Sequence, residues 1–223
     1  MSAFQTNANI WSEIYNAGQN NLSYPNENLV RYFHYLFANK KPDNLKLLDY
    51  GFGSGSNLMH LTKIGFDVYG LEVSSAAIEM TLGKMGPEFD TEKLLLLDDS
   101  LDLRFPGNFF DVIVAWQVLY YNSFDSLLDV LGRLSALLKP GGIFIGTMAR
   151  NEDYSIVNSD AISKYERISN GKLGNQKGSR IISVSGEEDI KFIFKVFQNL
   201  EIGYFETKLK DIVGSHWIIY GEK

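Results

Sequence analysis

The fold of this chain is decided by residues 47–57, which read LLDYGFGSGSN. An apolar run there ends in three glycines at alternate positions, and a helical pattern begins at Ser56. Glycine lets the backbone turn sharply and lets a ligand approach without meeting a Cβ atom. The first N–H groups of the following helix are free to bind polar groups. The stretch therefore predicts a site for a nucleotide-like ligand between a buried strand and a helix.

The spacing of the glycines indicates which ligand fits. A dinucleotide fingerprint needs G-x-G-x-x-G, but its third glycine would fall at Ser56 counting from Gly51, and at Leu58 counting from Gly53. The chain instead has D-x-G-x-G-x-G, with Asp49 two residues before the first glycine. A carboxylate at this point would repel a pyrophosphate but attract an ammonium or sulfonium group. The pattern favours S-adenosylmethionine over a nicotinamide cofactor.

Outward from this loop, short apolar runs alternate with helical patterns, which is typical of βαβ units that form a parallel sheet. Predicted strands cover residues 45–50, 67–73, 93–97, 110–116, 142–147, 200–209 and 216–222. Predicted helices cover residues 26–39, 56–64, 74–85, 123–138 and 185–199, the last beginning with a capping box at Ser185 and Glu188. Residues 148–183 are polar, with no clear strand, and are expected to be irregular.

Bulk composition limits the class of protein. The 223 residues include 45% hydrophobic residues and carry a formal net charge of −6, which predicts one globular domain and disfavours a dedicated nucleic-acid binder. There is no cysteine, so thiolate catalysis and zinc–thiolate sites are excluded. We predict no metal. No signal-like segment or membrane-length apolar run is visible, and we expect a cytoplasmic protein that binds no membrane.

Four segments in order resemble motifs of the class I S-adenosylmethionine-dependent methyltransferases. They are LLDYGFGSGSNL at residues 47–58, VYGLEVS at 68–74, LDDS at 97–100 and LKPGG at 138–142. The resemblance covers roughly residues 45–147. It implies a Rossmann-like doubly wound α/β sheet of order 3-2-1-4-5-7-6, with the last strand antiparallel.

The resemblance also implies the cofactor, S-adenosyl-L-methionine, and a set of residues around it. Asp49 would lie near the amino group, although a simple turn acid is the alternative. Glu72 would accept the ribose hydroxyls, although it could instead cap the next helix. The expected cofactor-binding residues are Asp49, Gly51, Gly53, Gly55, Glu72, Val73, Asp99, Ser100, Trp116 and Tyr15. Val73 would pack on adenine, and Asp99, chosen over Asp98, would contact it.

The acceptor side is less well defined. Methyl transfer from a sulfonium needs alignment and exclusion of water, and a base only where the acceptor is protonated. Trp116, Gln117 and Tyr120 follow the fourth strand and are candidates for the methyl end of the site, with core packing as the alternative for Trp116.

His216 lies near the predicted rim, and we name His216 and Tyr120 as candidate catalytic residues. Packing is the commoner role for such a histidine. The N-terminal aromatics Trp11, Tyr15 and Tyr24 could close over the cofactor, whose sulfonium attracts aromatic faces, with packing on the sheet as the alternative for Trp11.

We therefore expect a single methyltransferase domain over residues 1–223. Its parts are an N-terminal helical lid (1–44), a cofactor-binding core (45–147), an irregular insertion that could cover the acceptor site (148–184), and a C-terminal helix and strand pair (185–223). The predicted activity is methyl transfer to an O or N atom of a small-molecule acceptor. Two alternatives remain open: a non-catalytic cofactor-binding subunit, and an aminopropyl transferase of the same fold.

Overall fold

The computed structural model describes residues 2–38, 42–98, 102–171 and 176–223, and its centre is a seven-stranded sheet. The strands of this sheet are β1 (Lys46–Tyr50), β2 (Asp67–Glu72), β3 (Leu94–Leu96), β4 (Phe110–Ala115), β5 (Leu138–Ala149), β9 (Gln198–Leu209) and β10 (Ile212–Glu222). Their spatial order is β3-β2-β1-β4-β5-β10-β9. The first five strands are parallel, and β10 is antiparallel to β5. The predicted fold class and strand order are confirmed.

Seven helices are present in the described part of the chain. They are α1 (Ala3–Asn16), α2 (Glu27–Leu36), α3 (Ser56–Lys63), α4 (Ser75–Met85), α5 (Phe124–Leu137), α6 (Tyr154–Val157) and α7 (Glu187–Ile193). Side chains of Asn26, Ser74 and Ser123 accept bonds from backbone N–H groups at the starts of α2, α4 and α5, which fixes where these helices begin. No helix among these is long and apolar enough to cross a bilayer.

Side chains alternate between the two faces of the sheet and so build two apolar layers. Leu48 and Phe144 point into a layer shared with α5 and α7, whereas their neighbours Leu47 and Ile145 point into a layer shared with α2 and α3. This alternation follows from the two-residue period of a strand. A sheet covered on both faces needs apolar residues at nearly every position, as the fully buried end of β4 shows.

Residues 3–16 form a helix within the part expected to be helical, although weak periodicity did not give its bounds. Three predictions about local structure were wrong. Helix α7 ends at Ile193 rather than residue 199, and β9 begins at Gln198. Gly186 caps α7 without a side-chain bond, so the expected capping box is not formed.

The third error concerns the segment expected to be irregular. It contains a small antiparallel sheet of three short strands, in the order β6-β7-β8. These strands are β6 (Ser159–Ala161), β7 (Glu166–Ser169) and β8 (Arg180–Ile182). Strands of three or four residues are too short to leave an alternating pattern that differs from that of a loop. The division of the chain into a lid, a core and an insertion stays a prediction.

Replacing Phe144 by alanine should destabilise the protein by about 3–5 kcal/mol, because it leaves a cavity at a fully buried position. Urea denaturation measures the loss. Tyr35→Ala is the control, since Tyr35 is 81% exposed, and it should change stability by less than about 0.5 kcal/mol. Equal effects of the two substitutions would contradict the packing described above.

Candidate functional site

A cavity of about 320 Å³ lies where the carboxyl ends of the parallel strands meet helix α1. Its floor is formed by residues that directly follow strands, including residues 50–54 after β1, 71–73 at the end of β2 and 116–118 after β4. One wall is a face of α1. Ligands of doubly wound sheets bind at the carboxyl ends of the strands, so the cavity lies where the sequence predicts the site.

The glycine loop closes one side of this cavity. Gly51 and Gly53 line it, and both have positive φ angles, 71° and 57°. A Cβ atom on Gly53 would lie 2.5 Å from Oη of Tyr15, so a side chain here would occupy the space where loop and helix α1 meet. Gly55 is not in the cavity wall. It forms the start of α3 in the left-handed conformation, and its missing side chain makes room for Thr81.

Glu72 joins the end of β2 to the glycine loop. Its Oε2 accepts a hydrogen bond from the Gly53 N–H at 2.9 Å, and its Oε1 accepts from the N–H groups of Val73 and Ser74 at 2.8 and 3.1 Å. A carboxylate offers about four acceptor positions, so three are used within the protein. Glu72 is buried but remains part of the cavity wall. Burial raises its pKa, and the three N–H groups oppose that shift.

Asp49 lies behind this wall and does not line the cavity. Its side chain is 1% exposed, and Oδ2 has no hydrogen-bond partner. Burial, and then the charge of Glu72, raises the pKa of Asp49 to about 7. Within the described parts of the chain, no lysine or arginine shifts the pKa of Asp49 or Glu72. Two neighbouring buried carboxyl groups without a cation form a region that favours a positively charged ligand.

Aromatic rings form much of the opposite wall. Trp11 of α1 packs edge-on against Tyr121 with ring centroids 5.0 Å apart, and it also contacts Tyr15. Trp116 lines the cavity and stacks on Phe205 of β9, with the rings nearly parallel. Both core packing and ligand contact are therefore compatible with the position of Trp116.

Asn7 fixes helix α1 over the cavity. Its Nδ2 donates to the backbone carbonyls of Tyr121 and Arg180, both at 2.8 Å, and its Oδ1 accepts from the Arg180 N–H at 2.9 Å. Asn7 is 4% exposed. This one side chain therefore connects the first helix to both the loop after β4 and the small sheet.

The two candidate catalytic residues lie in direct contact. His216 Nε2 is 3.2 Å from Tyr120 Oη and 3.5 Å from Gln117 Nε2. Tyr120 lines the cavity, whereas His216 lies one layer behind it. Burial lowers the pKa of His216 and raises the pKa of Tyr120. Both groups are therefore neutral at neutral pH.

The remaining predicted residues divide as follows. Val73 and Tyr15 line the cavity, and Asp99 and Ser100 lie outside the described residues. The sequence patterns did not indicate a further set of cavity residues, namely Phe4, Asn7, Ala8, Asn122 and Gln176. The first three share a face with Trp11 and Tyr15, at spacings of three and four. That helical period was the signal by which α1 could have been found.

Comparisons with known proteins agree with this geometry. A family model described as a methyltransferase domain matches residues 22–191. A curated bovine protein, tRNA N(3)-cytidine methyltransferase METTL2 of Bos taurus, is 29% identical over 133 residues, 53% of this chain and 35% of its own length. The ubiquinone biosynthesis O-methyltransferase of Bradyrhizobium sp. (strain ORS 278) is 28% identical over 116 residues, 48% of this chain and 41% of its own. The chain thus matches well under half the length of these two relatives.

Solved structures give the same fold. The 1,6-didemethyltoxoflavin-N1-methyltransferase of Burkholderia thailandensis, solved with 1,6-didemethyltoxoflavin and S-adenosylhomocysteine, superposes with a TM-score of 0.66 at 13% identity. The match covers 98% of this chain and 88% of that one.

Fold and site together define a nucleotide-cofactor protein of the Rossmann-like class. The chain belongs to the methyltransferase-domain family, as the family model over residues 22–191 shows. The predicted family and its cofactor, S-adenosyl-L-methionine, are confirmed. The individual site residues stay predictions.

Replacing Glu72 by glutamine should weaken binding of S-adenosylmethionine by about 1–3 kcal/mol, because an amide cannot accept at both ends and carries no charge. Isothermal titration calorimetry measures the affinity. Glu79→Gln on the exposed side of α4 is the control and should leave it unchanged. Unaltered affinity in Glu72→Gln would contradict the prediction that Glu72 binds the cofactor.

Replacing Asp49 by asparagine should stabilise the ligand-free protein above pH 7 by on the order of 1–3 kcal/mol. The folded-state pKa of Asp49 is raised to about 7 from 3.8, so between these values the folded protein holds a proton that the unfolded chain has lost. The free energy of unfolding therefore falls as pH rises from about 4 to about 7, and it is level above.

Urea denaturation from pH 4 to pH 8 tests this prediction. The free energy of unfolding should fall less steeply with pH in Asp49→Asn, because Glu72 is then the only carboxyl group of the buried pair that still titrates. Asp160→Asn, at an exposed position of β6, should follow the parent curve. A parent protein whose stability rises over this range would contradict the prediction.

Proposed function

We propose that this protein transfers the methyl group of S-adenosylmethionine to an O or N atom of an uncharged small molecule. The observation that supports this most is the character of the cavity wall. Among its described residues Glu72 is the only charged side chain, and the rest are aromatic, aliphatic, hydroxyl or amide groups. A wall of this kind suits a flat, neutral acceptor.

The cofactor would occupy the side of the cavity formed by the glycine loop. Because Gly51 and Gly53 carry no side chain, the cofactor could closely approach the backbone of the loop. Glu72 would accept a hydrogen bond from a ribose hydroxyl at the acceptor position that its three backbone bonds leave free. Asp49 would act through its charge from behind the wall. When bound, the cofactor supplies an activated methyl group on a positively charged sulfur.

The acceptor would lie between helix α1 and the loop after β4. Trp11 and Tyr121 offer aromatic surfaces there, and Asn122 and Gln176 offer neutral hydrogen-bonding groups. Water is excluded by the buried rings, which favours displacement at the methyl carbon. We propose Tyr120 and His216 as the groups that manage the acceptor's proton.

A macromolecular acceptor is the main competing function, because one curated relative is named as a tRNA methyltransferase. Nucleic-acid binding requires lysine and arginine side chains near the site. Arg150 is held by Glu206 and Ser215 and packs over Tyr204, and Arg180 pairs with Glu166. Because these two arginines are already paired within the protein, they favour a small-molecule acceptor over a nucleic acid. The expected cytoplasmic location is part of the same proposal.

Aminopropyl transfer and a non-catalytic role receive less support. An aminopropyl transferase binds a polyamine through several carboxylates, and the described cavity wall carries one. A non-catalytic subunit would need no buried histidine–tyrosine pair beside its cofactor site, but this chain has one. Binding of S-adenosylmethionine without turnover on any acceptor would favour the non-catalytic role.

Methyl-labelled S-adenosylmethionine distinguishes these functions. We expect label on uncharged small molecules from a mixed set of phenols, heteroaromatics and amines, and none on total tRNA. Gly53→Val should abolish labelling, because a side chain would meet Tyr15. Gly83→Ala, where an added Cβ meets nothing within 4 Å, is the matched control and should retain it. Labelling of tRNA alone would contradict the proposal.

A further inference from the structure

His216 is held in a single orientation by its neighbours. Its ring stacks on Phe205 with centroids 5.3 Å apart and an interplanar angle of 12°, and Tyr120 lies against it at 5.6 Å. The residue is 6% exposed. The two ring nitrogens face different groups in this orientation, and which nitrogen carries the proton decides what the ring can do.

Asp153 faces the nitrogen on the far side of the ring. Its Oδ2 lies 3.6 Å from His216 Nδ1. The carboxylate is itself fixed, since Oδ2 accepts from the Ser215 N–H at 2.8 Å and Oδ1 accepts from Ser155 through N–H and Oγ, at 2.9 and 2.6 Å. Asp153 is 6% exposed and caps helix α6. Capping uses Oδ1, whereas Oδ2 faces both the Ser215 N–H and the histidine ring.

His216 Nδ1 makes no hydrogen bond to any described residue, so the charge of Asp153 at 3.6 Å is what favours one neutral tautomer on this side of the ring. A proton on Nδ1 is attracted to the Asp153 carboxylate, whereas a bare Nδ1 would place its lone pair against a negative oxygen. On the other side, the nearest atoms to Nε2 are Tyr120 Oη and Gln117 Nε2. An amide nitrogen can only donate, and a phenol can donate. Nε2 is therefore the acceptor, and Tyr120 donates its proton to it.

We propose that the acceptor atom is a weakly acidic hydroxyl, whose proton is taken up through Tyr120 and His216 while Asp153 acts as a positioning residue. This inference rests on the proposed function. As the acceptor oxygen forms its bond to the methyl carbon, the carbon–sulfur bond breaks and its electron pair stays on sulfur. The hydroxyl proton passes to Tyr120 Oη as the Tyr120 proton passes to His216 Nε2. The resulting imidazolium is balanced by Asp153.

Proton transfer through Tyr120 to His216 is useful for a hydroxyl acceptor but not for a neutral amine. A neutral amine attacks through its lone pair and loses its proton afterwards, so it needs no base in the displacement. A hydroxyl is a poor nucleophile until its proton leaves. The second tyrosine supports the same function, because Tyr121 Oη donates to Gln176 Oε1 at 3.1 Å and also lines the cavity. The hydroxyl groups of Tyr120 and Tyr121 thus lie between the cavity and the buried imidazole ring of His216.

The charged groups around His216 allow the pH dependence to be stated. Among the described residues, Asp153 is the one charged group that shifts the pKa of His216, and burial outweighs its effect. The next ionised side chains, Arg150 and Glu206, meet each other at Ser215. Turnover should therefore rise with pH through a pKa below 6.5 and be level at neutral pH, where the ring is neutral.

The tautomer can be observed without turnover. The chain has three histidines, so ¹⁵N-histidine labelling gives three ring systems, and His216→Gln identifies the relevant one. We expect the Nδ1–H form in the parent protein. Asp153→Asn should move the proton toward Nε2, since its amide can donate to Nδ1. An unchanged tautomer in Asp153→Asn, or an Nε2–H parent, would overturn the positioning role.

Kinetics test the acceptor class. With a phenol that is protonated at neutral pH, kcat should fall about 10²-fold or more in Asp153→Asn and His216→Gln, with little change in KM for S-adenosylmethionine. A nitro-substituted phenol that is already ionised should be methylated at similar rates by parent and variants. Asp189→Asn is the matched control, because this carboxylate also binds a tyrosine, Tyr165, away from the cavity.

The outcomes are distinguishable. Equal losses with protonated and ionised phenols, or preferred methylation of amines, would overturn the hydroxyl assignment while leaving the proposed function intact. Absence of turnover with every small acceptor would overturn the proposed function and the hydroxyl assignment together. The tautomer measurement would still decide the role of Asp153.

Discussion

The site depends on placing two carboxyl groups, Asp49 and Glu72, inside the protein at the ends of adjacent strands. Burying a charge without a partner is costly, and the chain reduces this cost in two ways. Three backbone N–H groups bind Glu72, and Asp49 holds a proton up to about neutral pH. Glu72 binds the glycine loop through the Gly53 N–H, next to the bond from the Gly51 N–H to the Leu71 carbonyl. Glu72 thus both binds the glycine loop and keeps a carboxyl group in the cavity wall.

The core of the fold could be predicted from the sequence because its signals are local. A buried parallel strand gives a continuous apolar run, and each helix after it gives a different period. The glycines and Asp49 add a second local signal, because together they indicate a tight turn that few folds require. Strand order came from the family resemblance, which local periodicity does not contain. The position of Glu72 followed from the same resemblance, but its three backbone bonds did not, since they need the loop in place.

The acceptor side was harder to predict because it is made of distant, weakly patterned segments. Helix α1 carries polar residues among its aromatics, and the strands of the small sheet have three or four residues each. Asp153 lies 63 positions before His216, and nothing between them marks the pair. Tertiary contacts fix such residues, and the sequence around them does not.

The hydrogen bonds of Asn7 have a consequence for how ligands enter and leave the cavity. Helix α1 forms one wall of the cavity and, beside apolar packing such as that of Trp11 on Tyr121, is joined to the rest by a side chain that satisfies three backbone groups at once. Those groups are exposed together if the helix departs, so departure is a concerted, sub-global opening rather than gradual fraying. Ligand entry and ligand release would then both require this opening of α1, and the free energy of opening would set the residence time of a bound ligand.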